Sequence, residues 1–448
     1  MILEKNQKIN LKITSIGSSG EGIGKHNGIT IFVEGALPGE EIIASVIKTK
    51  KNYAFAKLIK LVSSSPDRVS PVCPVFGRCG GCQIMHLKYS EQLKVKRQKV
   101  IDALERIGKL KNIYVEDCVP SPEHLNYRNK VQLPVKTIDD IFTIGFFKKK
   151  SHQVIPVEQC HIHCSIGEQV LATVKSVILE ERPDIQSEIK HIIIKSSIKE
   201  GKVLVILVRS GKLKKSFSLL GQLLMDKCIE IAGVVENINS SSRGKAVTGD
   251  RWNTLSGNPF IYEELCDVKF KISPASFFQV NTHQAEQLYE KVIQIASIDK
   301  SKKILDTYCG IGTLSLIAAK HAKQVLGIEY IPQAIDDARA NAKLNQIDNC
   351  EFICGKTEDY IEKYCNVDIV FVNPPRQGCD RKVISALGRL NNTQIVYISC
   401  DPATLARDLA HLVESGYSIR TVAPFDMFPQ TMHVETIVLL EKQKKNRN

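Results

Sequence analysis

The chain has 448 residues, of which 43% are hydrophobic and 24% are charged, and its formal net charge at pH 7 is +13. This length predicts two to four domains, and the composition is that of an ordinary soluble protein. The sequence has no run of 18 apolar residues and no secretory pattern at its start, so we expect no membrane span, no membrane partner and a cytoplasmic location. The positive charge favours a polyanionic partner, and a basic enzyme without such a partner is the alternative.

The 14 cysteines are too few for a disulfide scaffold in a chain of this length. Without an export signal, we expect them to be reduced, bound to metal or catalytic.

Residues 1–62 have the pattern of a small β-barrel. Apolar residues alternate with polar ones at positions 9–13, 29–33 and 42–46, and glycines at 17, 20, 22, 24, 28, 35 and 39 indicate turns. Short strands of this kind favour an OB-type barrel, which often binds nucleic acid. Nine lysines against five glutamates in this part fit the same interpretation.

Residues 63–270 are predicted to form a central α+β domain. The domain begins with a linker-like stretch at 63–71, which is followed by a basic helical pattern at 89–110. Apolar runs at 191–198 and 202–210 then predict β-strands.

Residues 271–448 alternate apolar strands with helical segments, which predicts a doubly wound, Rossmann-like α/β domain. Asp306 ends one predicted strand, and Gly310 and Gly312 follow it before a helix. Glu329 ends the next strand and can accept hydrogen bonds from ribose hydroxyls. Because the loop lacks a third glycine, it fits S-adenosylmethionine better than a dinucleotide with its pyrophosphate.

The strand end at Asn373-Pro374-Pro375 is similar to the motif of amino-group methyltransferases. Those enzymes usually continue with an aromatic residue that stacks on the base, and here Arg376 follows instead. The amine interpretation therefore becomes the weaker alternative.

Cys400 ends another predicted strand, at the edge where open α/β sheets carry their chemistry. A cysteine at such a position is commonly a packing residue. Beside a methyl-donor pocket, however, a thiol fits methylation of uracil carbon 5, because its addition to carbon 6 makes carbon 5 nucleophilic. A base must then remove the carbon 5 proton, and Glu435, before the last strand, is the candidate, with a pKa raised by burial.

Five stretches together resemble the RNA uracil-5-methyltransferase family: "FFQVN", "DTYCGIGTLSL", "NPPRQG", "YISCDPATLARDL" and "HVET". The resemblance implies that Cys400 is the nucleophile and Glu435 the base, and that the N-terminal barrel is an RNA-binding TRAM domain. It also implies an S-adenosylmethionine site at four residues: Gln279, Tyr308, Glu329 and Asn373. The family usually has Asp at position 373, so an acid–base role for Asn373 is not implied.

Three clustered cysteines, Cys73, Cys79 and Cys82, have the spacing C-x5-C-x2-C, and Cys160 is a candidate fourth ligand. Zinc would accept such ligands, but only one C-x2-C pair is present. Three clustered thiolates and one remote thiolate suit a [4Fe–4S] cluster, and the pattern resembles that of the iron–sulfur members of the family. The alternative fourth ligands are His161 and Cys164.

We expect the partner to be RNA in a single-stranded or loop form, because the target base must leave its stack to reach Cys400. Candidate phosphate contacts are Lys148–Lys150, Arg128 and Lys130. A TRAM domain together with cluster cysteines is similar to the 23S ribosomal RNA branch, and we expect a monomer. The alternatives are a transfer RNA methyltransferase, a cytosine or amine methyltransferase, and a non-catalytic RNA-binding protein that retains the fold.

Overall fold

The structure is a computed structural model, and it describes residues 3–138, 141–211, 217–240, 246–364, 366–391 and 393–442. Within this part of the chain, no helix combines the length and the apolar character needed to cross a membrane.

The N-terminal strands close into the barrel that the sequence predicts, in the order β1-β2-β3-β5-β4. The strands are β1 (Lys8–Ile16), β2 (Gly22–His26), β3 (Ile29–Glu34), β4 (Glu41–Thr49) and β5 (Tyr53–Ser63). The alternating residues Ile9, Leu11 and Ile13 face the barrel core. One expectation was wrong: Gly22 and Gly24 lie in β2 and not in turns. A Cβ atom would come within 2.6 Å of the Ala36 carbonyl oxygen at position 22 and within 2.5 Å of the Lys12 carbonyl oxygen at position 24, so glycine is needed at both positions for close packing.

The stretch expected to be a linker is tied to the barrel. The Arg68 guanidinium binds the buried Glu40 carboxylate at 2.6 Å and also donates to the Gly35 carbonyl at 2.7 Å. Arg68 thereby fixes the direction in which the chain leaves β5.

The central part contains a mixed seven-stranded sheet in the order β12-β11-β10-β9-β6-β7-β8. The predicted apolar runs are its central strands, and helices cover the core that they form. Its elements, with the helix that precedes them, are α1 (Tyr89–Arg106), β6 (Lys130–Ile138), β7 (Ile141–Phe147), β8 (Val154–Pro156), α2 (Ser165–Ser176), β9 (Ile189–Ser197), β10 (Lys202–Arg209), α3 (Ser218–Lys227), β11 (Ile231–Ile238) and β12 (Arg251–Gly257).

The C-terminal part is the predicted doubly wound domain. Its sheet has the order β17-β16-β15-β18-β19-β21-β20, in which β15–β19 are parallel and β21 is antiparallel to both of its neighbours. A separate two-stranded sheet of β13 (Ile261–Leu265) and β14 (Val268–Ile272) precedes this domain. The elements that follow are α4 (Thr282–Ile295), β15 (Lys303–Asp306), α5 (Thr313–Ala319), β16 (Gln324–Glu329), α6 (Pro332–Leu344), β17 (Cys350–Cys354), α7 (Thr357–Tyr360), β18 (Ile369–Val372), α8 (Arg381–Arg389), β19 (Gln394–Ser399), α9 (Pro402–Glu414), β20 (Tyr417–Phe425) and β21 (Glu435–Lys442).

Helix α1 packs against α9, and its residues Val100, Ala103 and Leu104 belong to a hydrophobic core of the C-terminal domain. The predicted division of the chain assigns this helix to the central part. The division at residues 62 and 270 remains a prediction. Lys96 and Lys99 of this helix donate hydrogen bonds to carbonyl groups in the segment directly before β21. Glu435, a candidate site residue, begins that strand.

Candidate active site

Cys400 lies in the turn between β19 and α9, at the carboxyl end of the parallel strands. Asp401 caps the helix, since its Oδ1 accepts hydrogen bonds from the amides of Ala403 at 2.8 Å and Thr404 at 3.1 Å. Pro402 occupies the first helical turn, where the missing N–H costs nothing. The Asp-Pro pair therefore ends the strand sharply and holds the thiol at the sheet edge.

Glu435 begins β21, which pairs with β19 in a register that sets Thr436 opposite Ser399. The next residues along this register are Glu435 and Cys400, so the carboxyl and thiol groups come to the same edge. Glu435 is 4% exposed. The structure thus brings together the two residues predicted from the sequence to act in catalysis.

Burial dominates the electrostatics of this pair. Burial raises the pKa of Glu435 to about 8, although the nearby Arg376 guanidinium lowers this pKa. Burial also raises the pKa of Cys400 to about 11, with a further rise from Glu435 and a lowering by Arg376. Arg376 is therefore the cation that favours the ionised form of both groups.

Replacing Glu435 by glutamine is expected to stabilise the protein increasingly as pH rises. The pKa of Glu435 is about 8 in the folded protein and near 4.5 ordinarily, so between these values the unfolded chain has released a proton that the folded chain retains. The stabilisation that this carboxyl provides is complete below the lower value and is lost as pH rises through the upper one. Melting temperatures at pH 5 and pH 8 measure the effect, with Glu105→Gln on the exposed face of α1 as the matched control. An equal melting-temperature difference at both pH values would contradict the burial argument.

A second pocket opens beside the pair, where the strand β15 turns into helix α5. Three predicted cofactor residues, Gln279, Tyr308 and Asn373, line it. The pocket also contains Asp306, Gly310 and several neighbours: Phe277, Phe278, Tyr289, Cys309, Ile311, Thr313 and Leu314.

The loop that forms this pocket is held by a buried hydrogen bond and by close packing. The Ser315 hydroxyl donates to the buried Asp306 carboxylate at 2.6 Å, and Gly312 has a φ of +82° directly before α5. A Cβ atom at position 312 would come within 2.9 Å of the Phe352 ring. Glycine is thus needed at position 312 both for its backbone angle and for space.

Glu329, the fourth predicted cofactor residue, lies at the end of β16 and borders the same loop. Its Oε2 accepts from the Gly310 amide at 3.2 Å, and its Oε1 accepts from the amides of Tyr330 at 2.9 Å and Ile331 at 3.0 Å. These bonds fix the orientation of the carboxylate next to the pocket. The acidic and amide groups suit the hydroxyl and amino groups of an adenosine ligand.

A third cavity, of about 400 Å³, is lined by all four cysteines predicted to bind metal: Cys73, Cys79, Cys82 and Cys160. Burial, followed by repulsion from the other three thiols, raises the pKa of Cys82 well above its ordinary value. Cys164, the alternative ligand, is buried at the start of α2 and does not line this cavity.

The described residues contain no group of three or more His, Cys, Asp or Glu side chains arranged to hold a metal ion. The central iron–sulfur centre expected from the sequence is therefore not confirmed and stays a prediction. What the structure provides is four thiols around one cavity.

The other wall of this cavity carries residues that the sequence analysis did not assign to a site, namely Phe428, Thr431 and His433. Arg376 and Arg128 line it too, so the cavity reaches from the cysteines toward the Cys400–Glu435 edge. Burial, and then the Arg376 and Lys99 cations, lowers the pKa of His433 to about 4, so its imidazole is neutral near pH 7. The sequence feature that could have pointed to His433 as a site residue is its position two residues before Glu435.

Several of the residues predicted to contact RNA phosphates make other contacts within the protein. Lys149 pairs with Glu34 of the barrel at 2.7 Å, and Lys150 lies 3.8 Å from Glu21. Arg128 lines the cysteine cavity and donates to the Lys130 carbonyl at 2.7 Å. The lysines at 149 and 150 thus join the central domain to the barrel, which the sequence analysis did not predict.

Comparison with known proteins identifies two segments. Residues 88–443 match the family described as tRNA (Uracil-5-)-methyltransferase, and residues 3–59 match the TRAM domain. An uncharacterized RNA methyltransferase of Clostridium acetobutylicum is 39% identical over 99% of both chains. Another, from Clostridium tetani, is 40% identical over 98% of this chain and 97% of the relative.

A solved structure gives the same relationship. The tRNA (uracil-54, C5)-methyltransferase of Pyrococcus abyssi, in complex with S-adenosyl-L-homocysteine, has a TM-score of 0.76 and 30% identity, and the match covers 96% of this chain and 100% of that one. The chain therefore belongs to the tRNA (uracil-5-)-methyltransferase family, and is an S-adenosylmethionine-dependent RNA (uracil-5-)-methyltransferase with an N-terminal TRAM domain.

Proposed function

We propose that this protein forms 5-methyluridine in 23S ribosomal RNA through a covalent bond between Cys400 and carbon 6 of the target uracil. The observation that carries the proposal is the convergence of Cys400, Glu435 and Arg376 at the edge of the sheet, beside a pocket lined by the predicted cofactor residues.

Cys400 is the nucleophile in this scheme. Its sulfur attacks carbon 6, the electron pair of the carbon 5–carbon 6 double bond moves toward carbonyl oxygen 4, and carbon 5 becomes nucleophilic. Because burial disfavours the thiolate, the Arg376 charge supports its formation. The same charge favours the enolate that the addition creates.

The pocket beside Cys400 holds the methyl donor. Gln279, Tyr308 and Asn373 line it, and Glu329 borders it with a fixed carboxylate suited to the ribose hydroxyls. S-adenosylmethionine, when bound there, supplies the methyl group that carbon 5 receives. Asn373 offers its amide for binding, and a neutral side chain there cannot act as an acid or a base near pH 7.

Glu435 completes the reaction by accepting the proton from methylated carbon 5, after which the carbon–sulfur bond breaks and the double bond returns. A pKa of about 8 makes its carboxylate a stronger base than an ordinary glutamate. Burial also keeps bulk water away from the covalent intermediate.

The choice of RNA is the finer part of the proposal. The TRAM barrel presents three outward-facing rings, Phe32, Tyr53 and Phe55, with centroids 5.6–5.8 Å apart, and such rings stack on single-stranded bases. The pairing of TRAM domain and four cysteines favours 23S ribosomal RNA. The Pyrococcus abyssi protein acts on transfer RNA, which makes transfer RNA the second candidate. Mapping 5-methyluridine in both RNAs from cells with and without the gene decides between them: loss of a ribosomal site supports the proposal, and loss of a transfer RNA site alone would overturn it.

We also propose that the four cysteines bind a [4Fe–4S] cluster. Four thiols around one cavity are the ligand set that such a cluster uses, and a zinc site with the same ligands is the alternative. The group would support the shape of the central domain, because methyl transfer needs no electrons.

Replacing any one of Cys73, Cys79, Cys82 or Cys160 by serine is expected to remove most of the iron from anaerobically purified protein, because each change removes one thiolate of four. Iron and zinc analysis with the visible spectrum is the measurement, and the intact protein should hold about four irons per chain. Cys164→Ser is the matched control, since this thiol lies outside the cavity. Colourless protein with one zinc per chain would overturn the cluster, and full iron in Cys160→Ser would remove this residue from the ligand set.

A further inference from the structure

The segment 426–434 joins β20 to β21 and ends directly before Glu435. It also supplies Phe428, Thr431 and His433 to the wall of the cavity that Arg376 lines. The conformation of this segment therefore sets the start of the strand that carries Glu435 and shapes the cavity beside it.

Gln430 is the centre of this segment. It is 4% exposed and has a backbone φ of +70°, a conformation that a residue with a side chain keeps only when its surroundings enforce it. Its amide N–H donates to Gln92 Oε1 at 3.1 Å, and its Oε1 accepts from Gln92 Nε2 at 2.9 Å. Its Nε2 donates to the His124 carbonyl at 3.0 Å. These bonds enforce the unusual backbone angle.

The carbonyl of Gln430 connects the segment to the cysteine loop, residues 73–84, which carries Cys73, Cys79 and Cys82. It accepts hydrogen bonds from the amides of Gln83 at 3.0 Å and Ile84 at 3.1 Å, and these residues directly follow Cys82. The Gln83 side chain also accepts from the Met432 amide at 3.3 Å. A short path of hydrogen bonds therefore runs from Cys82 to within three residues of Glu435.

Helix α1 holds both sides of the same segment. Lys96 forms an ion pair with Asp426, both fully buried, and its Nζ donates to the Phe428 carbonyl at 3.0 Å. Lys99 Nζ donates to the Met432 carbonyl at 2.8 Å. Because Gln92 lies on α1 as well, the supports from the helix and from the cysteine loop meet at Gln430.

We infer that Gln430 is a positioning residue for proton removal: it holds segment 426–434 so that Glu435 faces carbon 5, and it connects that geometry to the cysteine loop. The inference rests on the proposed function, in which Glu435 accepts the proton. Cofactor residues such as Gln279 and Tyr308 lie on other elements. Disturbing Gln430 therefore slows the last step and leaves binding of the methyl donor intact.

The variant Gln430→Gly tests this, because glycine tolerates a φ of +70° and keeps the backbone bonds while the side-chain bonds are lost. We expect turnover to fall about 10²-fold, the effect of a small misplacement in an active site. The affinity for S-adenosylmethionine should stay unchanged, and the KM for RNA should fall together with kcat, because the slowed step follows formation of the covalent bond. Enzyme covalently bound to ordinary methylated RNA should accumulate on denaturing gels. Gln92→Ala should give the same pattern. The fold-decrease in turnover of the double variant should be smaller than the product of the two single fold-decreases.

Gln222→Ala is the control, since this residue forms an exposed hydrogen bond to Asp226 on α3, within the central domain. If Gln430→Gly turns over like the wild type, or if adduct formation and elimination slow equally while the melting temperature falls, Gln430 has no positioning role. The wild-type enzyme, which should form an adduct with 5-fluorouridine RNA, is the reference for these comparisons. A wild type that makes 5-methyluridine without any covalent complex would instead overturn the proposed mechanism, and the role of Gln430 with it.

Discussion

Replacing Cys400 by alanine is expected to abolish both 5-methyluridine formation and every covalent complex with RNA. Without the thiol, addition to carbon 6 is lost and carbon 5 of uracil remains a poor nucleophile. The measurement is methyl incorporation from labelled S-adenosylmethionine together with gel analysis of the enzyme–RNA complex.

The fold should survive this change. The cap formed by Asp401 and the Pro402 helix start do not involve the thiol, so the turn after β19 keeps its shape. Cys228→Ala, which removes a buried thiol from the central domain, is the control for the general loss of a cysteine. Turnover by Cys400→Ala above the background of a reaction without enzyme would contradict covalent catalysis by this residue.

Replacing Glu435 by glutamine is expected to slow turnover about 10²–10⁴-fold, the usual effect of losing a general base. Methyl transfer should still occur, because it precedes proton removal. The enzyme should therefore accumulate in a covalent complex with methylated RNA, in contrast to Cys400→Ala, which forms none. Normal turnover without accumulation would mean that another group, or water, takes the proton.

The pH dependence gives a second test of the same residue. Glu435 accepts a proton only when ionised, so the turnover of the wild type should rise with pH through about 8. The pKa of about 11 for Cys400 acts in the same direction, since more thiolate forms as pH rises. The Glu435→Gln variant should lose the rise near pH 8 and keep any rise at higher pH. An unchanged profile in the variant would assign the titration to a different group.

The sequence predicted the parallel strands of the catalytic sheet well, because five apolar strands alternate with helices and most of the active-site motifs follow a strand end, whereas Glu435 begins a strand. β15, β16 and β19 bring Asp306, Glu329 and Cys400 to one edge, as the rule for parallel sheets requires. Strand β2 was not predicted, because its glycines imitate a turn when close packing is their actual reason.

The supports of the site could not be predicted from the sequence. Lys96 and Asp426, or Gln92 and Gln430, are separated by more than 300 residues and have no local pattern that relates them. The burial of Glu435 likewise depends on β20 and β21 pairing beside β19, which is a tertiary event. The ion pairs of Lys149 and Lys150 were not predicted because their partners in the barrel lie far away in sequence.

The most direct test of covalent catalysis is peptide mass spectrometry of the enzyme after incubation with 5-fluorouridine RNA and S-adenosylmethionine. A base can remove a proton from carbon 5 but cannot remove fluorine from it. The elimination step should therefore stop, with the methylated nucleotide still bound to the protein. The added mass should lie on Cys400, and the Glu435→Gln variant should carry it on the same residue. An added mass on a different cysteine, or none while ordinary RNA is methylated at uracil carbon 5, would contradict covalent catalysis by Cys400.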